Sequence, residues 1–494
     1  MSISPNERKK FQATLANECI NNAERLVDSN GDHRFALDAH QQDATEQIVY
    51  ALGEQKNRFS IVHAGGSGKT VLEAGIVQAS QRAKKTLDGS LENSQDLVLT
   101  VERALMGSVR EHIQSLGVDV GVWGGGEHVK DRPVLVTSIQ ALQQNKKDLK
   151  KLIDPDNIAL ILGDEADKFI TPARRKILDA FTAAQRIGFT ATPQWPDGRH
   201  IEGTWGEIIH RLSLKEAIRS GIDVNALYTL YDANFNVEDL NIQGDDFEPK
   251  SLDAAMKSVQ IEMAIPKIYE DLVPPERVKE WPTLVYVPSV ATVRRTVERL
   301  RQKFPHLTVS YWVGNETTDK ALKDGRLDFS EGKTDILVLC EMGGRGLDLP
   351  RARVIIDAYP TLSTTKLEQR HSRALRKVRP GSALDKEGFH KPFAQIAQIL
   401  PKSNTFRPVT LMDVLGWGTY KPGRLFNVGG EGRNTDGVGH PEDEEVEKLV
   451  QRIKSRRGLR CNVTLMERVD LLQEIRLRDE FPMEDEEGFI YTEK

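Results

Sequence analysis

Two series of short, almost wholly apolar runs, each followed by residues at helical spacing, set the terms on which this chain can fold. The first series is FSIVH (59–63), LVLTV (97–101), VLVTS (134–138), ALILGD (159–164) and RIGFTAT (186–192). The second is TLVYVPS (283–289), LTVSYWV (307–313), DILVLCE (335–341) and RVIIDAYP (353–360). A strand with one wet face alternates apolar and polar residues, and these runs do not. They read as parallel strands covered by helices on both faces. The expected fold class is therefore α/β, with two parallel-sheet domains in tandem. A length of 494 residues accommodates both, and 39% hydrophobic content with nearly balanced acids and bases excludes a disordered polymer.

The pattern divides the chain into five parts. Residues 1–34 read as a helical extension, an appendage with Phe11, Leu15, Cys19 and Leu26 roughly at helical spacing. Residues 35–225 form the first domain, 226–280 a charged connector with a Pro-Pro pair at 274–275, and 281–415 the second domain. Residues 416–494 read as a glycine-rich, acidic linker, one or two amphipathic helices over 446–478, and an acidic tail.

The three cysteines, Cys19, Cys340 and Cys461, lie far apart, which excludes a CxxC metal or redox site. Reduced thiols in a cytoplasmic protein are expected. No apolar run approaches the roughly 20 residues of a membrane span, and the start MSISPNERKKFQ lacks the apolar core of a signal peptide. No membrane partner is expected. The net charge of -5 argues at first against a polyanionic partner, yet its distribution removes the objection. Residues 434–447 hold six acids and no Lys or Arg, and 479–494 hold seven acids and one Lys; without these two stretches the net charge is +7.

In FSIVHAGGSGKTVLEAGIVQA a β-branched strand meets a glycine-rich turn and then a helix with Val71, Leu72, Ile76 and Val77 on its apolar face. In that setting Gly66, Ser67 and Gly68 wrap backbone N–H groups around phosphates, Lys69 reaches the terminal phosphates, and the Thr70 hydroxyl ligates Mg2+. The pattern GxxxxGK[ST] lacks its first glycine, because His63 stands there. The loop by itself points to a nucleotide. Hydrolysis of that nucleotide needs one acid for the metal and another for the attacking water. ALILGDEADKF supplies both at the end of an apolar strand: Asp164 for the metal, Glu165 for the water.

GGSGKT, DEAD and GFTATP (188–193) together resemble motifs I, II and III of the superfamily 2 helicases and translocases. The resemblance implies that Thr190, Ala191 and Thr192 couple the nucleotide site to nucleic acid. LDAHQQDA (37–44) resembles the Q-type motif, whose glutamine, here Gln41, reads the adenine edge; Asp38 and His40 replace the usual arginine and aromatic residue. LVLTVERAL (97–105) and VLVTSIQAL (134–142) stand where motifs Ia and Ib belong, which makes Thr100, Arg103, Thr137 and Ser138 expected phosphate-backbone contacts. ILVLCEMGGRGLDLP (336–350) resembles motif V, with Gly346 and Asp348. KLEQRHSRALRKVRPG (366–381) resembles motif VI, with Gln369, Arg373 and Arg376 matching and Ser372 in place of a glycine. Two arginines three residues apart on a helix project from one face, as suits stabilisation of transition-state charge on a γ-phosphate. Arg370, Lys377 and Arg379 crowd the same stretch, so a solvated basic helix face is the competing reading.

The resemblance covers residues 35–415 and implies two RecA-like domains, ATP and Mg2+ as cofactors, and nucleic acid as partner. GFTATP, the segment WGEIIHRLSLKEAIRSGI (205–222), and motif V running into LP and AYPTLS resemble the branch with restriction-enzyme motor subunits and DNA repair helicases. DNA is accordingly favoured over RNA. The same residues serve an unwinding enzyme, a translocase, an RNA helicase or an ATP-switched clamp. No nuclease signature is present, so cleavage would come from a separate subunit, and the C-terminal region is left for partner subunits.

Overall fold

The computed structural model describes residues 3–27, 33–87, 91–101, 103–144, 149–194, 198–237, 240–244, 246–313, 320–340, 349–379, 381–402, 408–416, 463–473 and 475. They form two compact units, Met1–Ser213 and Leu214–Lys494. None of the helices among these residues is long and apolar enough to cross a membrane.

The first unit begins with helix α1 (Pro5–Asn21), started by a capping box: the Glu7 N–H donates to Ser4 Oγ at 3.3 Å and the Ser4 N–H to the Glu7 carboxylate at 2.9 Å. Its residues Phe11, Leu15 and Cys19 are buried in one core with Ile48, Ile76 and Val98. The buried Gln12 side chain donates to Gln185 Oε1 at 2.8 Å. The expected appendage is thus corrected: α1 is part of the first domain, because its apolar stripe has a sheet-covering layer to pack on. A short antiparallel hairpin, β1 (Arg25–Val27) and β2 (His33–Ala36), leads into α2 (Ala39–Gly53).

Among the described residues the first sheet has eight strands in the order β10 (Ile208–Leu212), β3 (Arg58–His63), β9 (Gln185–Thr190), β8 (Ile158–Asp164), β4 (Gln95–Thr100), β7 (Val134–Ser138), β5 (Val120–Gly124) and β6 (Glu127–Val129). Every pairing is parallel except β5 with β6. The two faces share residues in strict alternation. Val98, Leu160, Leu162, Val134 and Val136 enter the core with α1, α2, α3 (Lys69–Lys85) and α4 (Arg103–Ser115), while Leu97, Leu99, Ile161 and Leu135 enter the opposite one. This double burial is why the strands read as unbroken apolar runs.

Trp205 closes the second face. It is fully buried, donates from Nε1 to the Ala166 carbonyl at 3.0 Å, and lies flat on two glycines. A Cβ on Gly163 would come within 2.2 Å of the ring, and one on Gly188 within 2.8 Å. Both glycines stand in register, just before the strand ends that carry Asp164 and Thr190.

The second sheet runs β15 (Val309–Trp312), β16 (Ile336–Cys340), β14 (Thr283–Val287), β17 (Val354–Asp357), β18 (Phe393–Lys402), β11 (Asn225–Asn236) and β19 (Val463–Asp470). All its pairings are parallel but the last. Two expectations are corrected here. Residues 226–280 are not a connector: β11 pairs with β18 and β19, and helices Pro249–Ser258 and Ile261–Leu272 bury Leu252, Met256, Ile265 and Ile268 in the same unit. Over 463–470 the chain is a strand rather than an amphipathic helix, since β11 offers it a free edge; 446–462 and the acidic tail lie outside the described residues. A small hairpin, β12 (Ile242–Gln243) with β13 (Asp246–Phe247), is also part of this unit. Its Asp246 accepts from Thr361 Oγ1 at 2.7 Å, the Leu362 N–H at 2.8 Å and Lys366 Nζ at 2.9 Å.

Truncating Trp205 to alanine removes a buried ring that nothing nearby can replace. Trp205→Ala is expected to destabilise the first unit by about 3–5 kcal/mol, read as a lowered urea midpoint.

Candidate nucleotide site

β3 ends at His63, and the chain then turns through Ala64–Gly68 into α3. The turn is made by Gly66 (φ 90°) and Gly68 (φ 82°), left-handed positions that a side chain would strain. His63 itself is the last strand residue, which explains why the first glycine of the textual pattern is dispensable here. Lys69 Nζ donates to the carbonyls of His63 (2.8 Å) and Ala64 (3.1 Å), so it is folded back over its own loop. Two neighbouring side chains of α2 hold the loop from outside. His40 Nε2 lies 2.8 Å from the Ser67 carbonyl, and Gln41 Nε2 donates to the Gly68 carbonyl at 3.0 Å while its Oε1 accepts the Asp38 N–H at 2.9 Å.

Asp164 ends β8, buried, with one carboxylate oxygen accepting the Glu165 N–H at 2.9 Å. Glu165 has φ 54°, a left-handed conformation that departs from the strand at once. Glu73, one turn into α3, is 1% exposed, and neither of its carboxylate oxygens has a hydrogen-bond partner. Burial, then the neighbouring carboxylates, raise Glu73 well above the usual carboxylate range and push Glu165 up to about 8; burial also raises Asp164, with Lys69 opposing it. These acids lack a compensating charge equal to their number. A divalent cation is the group that would reverse all three shifts. The residues present therefore fit a divalent cation such as Mg2+.

The site continues to β9. Thr190 Oγ1 donates to Asp167 Oδ1 at 2.8 Å and accepts the Thr192 N–H at 3.1 Å, tying the DEAD turn to Thr190–Thr192. Ala191 and Thr192 are half-buried. Sequence reasoning passed over three residues of this centre. Asp167 was legible as the last letter of DEAD, and Glu73 as the one acid among the apolar residues of α3; His210, a partner of His63, left no local signal. His40, noted only as replacing an aromatic residue, braces the Ser67 carbonyl.

Elsewhere the expected contacts fare differently. Thr100, Thr137 and Ser138 are buried; Thr137 Oγ1 donates to the Trp123 carbonyl at 2.7 Å, and Ser138 Oγ accepts the Ala141 N–H at 3.2 Å. Thr100 and Ser138 are the last residues of β4 and β7, and Thr137 stands one residue before the end of β7. Arg103 opens α4, its side chain outside the described residues, as are Gly346 and Asp348.

In the second unit the helix Thr364–Leu375 carries Gln369, half-buried, whose carbonyl accepts from Arg373 Nε at 3.2 Å. The helix stops one residue short of Arg376. That residue is an extended C-cap (ψ 124°) paired with Asp223 by an isolated bridge, so the expectation that Arg373 and Arg376 share a helix face is corrected. The solvated basic face is corrected as well. Arg370 is buried, donating to Asp357 Oδ1 at 2.9 Å and the Tyr359 carbonyl at 2.6 Å; His371 Nε2 lies 3.0 Å from Asp357 Oδ2.

Residues 34–195 match the family described as "Type III restriction enzyme, res subunit", and residues 264–378 match "Helicase conserved C-terminal domain". The first span holds the phosphate loop, Asp164, Glu165 and Thr190–Thr192; the second holds Gln369, Arg373 and Arg376. The chain is similar to "Putative ATP-dependent helicase IRC3" of Saccharomyces cerevisiae, 26% identical over 349 residues, 68% of this chain and 49% of the relative. It is also similar to "Putative DNA 3'-5' helicase Rad25" of Halobacterium salinarum, 26% identical over 365 residues, 71% of this chain and 53% of the relative. The chain thus spans about half the length of these curated relatives. A solved fragment of "a putative HsdR subunit of a type I restriction enzyme" from Vibrio vulnificus shares the fold, with a TM-score of 0.52 at 20% identity over 75% of this chain and 70% of that one.

Two outcomes follow from these surroundings. His63 Nε2 is 2.7 Å from His210 Nδ1, and burial, with Lys69, His210 and His40 nearby, lowers His63 from 6.5 to about 2. The folded unit keeps this ring neutral, whereas an unfolded chain protonates it below pH 6.5. His63 therefore contributes stability that is lost as pH drops below 6.5, by about 1 kcal/mol per pH unit, while the raised Glu73, Asp164 and Glu165 contribute the opposite slope. The His63 share is read as the difference between the native chain and His63→Asn in urea melts, which is expected to change with pH by that amount. In the second unit, Asp357→Asn strips the counter-charge from buried Arg370. Chemical denaturation should show a loss of about 3–5 kcal/mol.

Proposed function

We propose that this chain, which belongs to the superfamily 2 helicases and translocases, is an ATP- and Mg2+-dependent motor acting on nucleic acid, with DNA favoured. The observation that carries the reading is one continuous centre in the first unit: Lys69 on its loop, Asp164 and Glu165 at the next strand end, and the Asp167–Thr190 bond leading to Thr190–Thr192. Binding a nucleotide needs the loop alone. A hydrolytic motor also needs a water-orienting acid and a link from that acid to a substrate-facing segment, and both residue sets are present.

In this proposal Lys69 leaves the His63 and Ala64 carbonyls for the terminal phosphates, exchanging two neutral acceptors for charged ones. The backbone N–H groups of Gly66–Gly68 cradle the phosphates at the start of α3. Thr70 and Asp164 would hold Mg2+, which would supply neutralisation of phosphate charge. Glu165 orients the attacking water. Gln41 keeps one amide hydrogen and one lone pair for an adenine edge while still bracing Gly68. Arg373 is assigned to transition-state charge. The DNA preference is supported by motif spellings of the restriction and repair branch and by a relative described as a DNA helicase.

Lys69→Ala is expected to reduce ATP hydrolysis by at least about 10²-fold while leaving the melting temperature near that of the native chain. ATPase rates measured with single-stranded DNA, duplex DNA and RNA, with strand displacement followed in parallel, test the rest. Stimulation greatest with DNA is expected; stimulation by RNA alone would make the enzyme an RNA helicase, and none at all would remove the motor and leave an ATP-switched clamp.

A further inference from the structure

Glu73 is the least accounted-for charge in the first unit. It lies four residues after Lys69 and three after Thr70, so one turn of α3 brings all three to the same side of the helix. The residues around it in sequence, Val71, Leu72, Ala74 and Ile76, are core residues, and an apolar side chain would complete that core. Instead a carboxyl stands there at 1% exposure, its two oxygens shut off from water and from every hydrogen-bond donor. Its electrostatic neighbours are Asp164, Glu165 and Lys69. An unpaired acid aimed at two other acids stabilises nothing in the protein alone. It becomes favourable once a cation enters the same space.

Among the described residues no three His, Cys, Asp or Glu side chains stand close enough together to ligate one ion directly. Glu73 therefore acts at one remove. Mg2+ typically retains several waters, and each needs an acceptor for its hydrogens. We propose that Glu73 is a positioning residue for the metal of this site, accepting hydrogen bonds from water bound to the ion that Thr70 and Asp164 hold. The inference rests on the phosphate-loop reading above and adds a third acid to its metal shell. It also gives a reason for a polar residue in the packed face of α3, where folding alone favours an apolar one.

Binding of Mn2+ to the 494-residue chain in the presence of ADP, followed by the electron paramagnetic resonance signal of free Mn2+, tests this directly. Glu73→Gln keeps the shape and removes the charge. Its Kd for Mn2+ is expected to rise about 10-fold or more, with ADP affinity in EDTA unchanged. Glu73→Asp, which keeps the charge but withdraws it by one methylene, should fall between the two. A wild-type Kd in Glu73→Gln overturns the proposal; if that variant fails to fold, a wild-type Kd in Glu73→Asp does so instead. Failure of the native chain to bind Mn2+ with ADP would overturn the phosphate-loop reading itself, whereas equal binding by native chain and variants overturns only the role of Glu73.

Discussion

In the first unit Val62 stands in register with Thr190 and Gly163 with Gly188, so three neighbouring parallel strands end at nearly the same level. Parallel strands of one sheet place all their C-terminal ends on one edge, and that edge is where the loop, the acids and Thr190–Thr192 meet. The register depends on a close approach. Trp205 occupies the space that two Cβ atoms would otherwise fill, and its indole N–H holds the Ala166 carbonyl inside the DEAD turn. A packing interaction on the far face of the sheet thereby fixes the starting point of the turn that carries Glu165. The left-handed Glu165 is tolerable only because both sides of it are held, by Asp164 before and by Ala166 and Asp167 after.

Charge in this centre is arranged for something absent from the chain. Three acids are pushed upward by burial and by neighbouring carboxylates, while Lys69 gives its hydrogens to backbone carbonyls. A buried cluster of this kind is unfavourable for folding, and a protein shaped only for stability would pair or delete it. His40 and Gln41 from α2 hold the Ser67 and Gly68 carbonyls, whereas Lys69 bonds the His63 and Ala64 carbonyls at the other end of the turn. Under the proposed function, this separation would let the loop keep its shape when Lys69 exchanges carbonyl oxygens for phosphate oxygens.

The parts of this architecture that were legible in the sequence are those whose cause is local. Continuous apolar runs announce strands covered on both faces, and GGSGKT after FSIVH announces a phosphate loop whether or not His63 is a glycine. The second sheet was only half visible, because β11 and β19 owe their strand state to partners far away in the chain. Leu230 pairs with Gln398 on one side and Glu467 on the other, and no window of local sequence contains that information. The burial of Thr100, Thr137 and Ser138 was hidden in the same way. Motif position places them at strand ends, but only the depth of the surrounding core decides whether a strand end faces a ligand or the interior. Glu73 shows the converse, a residue whose local oddness was visible but whose meaning needed its spatial neighbours.

The arginine-rich helix of the second unit shows how one basic segment divides its work. Arg370 is drawn inward by Asp357 and the Tyr359 carbonyl, and its guanidinium lies 5.0 Å from the Tyr359 ring centroid. His371 takes the other carboxylate oxygen of Asp357. Two adjacent side chains on one buried acid fix both the rotation and the depth of the helix, since a slide along its axis would break both bonds together. Asp246 fixes its beginning through Thr361, Leu362 and Lys366, and the backbone bond from the Val224 N–H to the Leu375 carbonyl fixes its end. Buried ion pairs add little net stability, because desolvation offsets much of the attraction, so their value here is positional. With its start, its rotation and its end each set by a different contact, the helix presents Arg373 from a frame that has little freedom to move. Under the proposed function, that rigidity would suit Arg373 to act on charge that develops only in the transition state, where reorganisation would consume the gain.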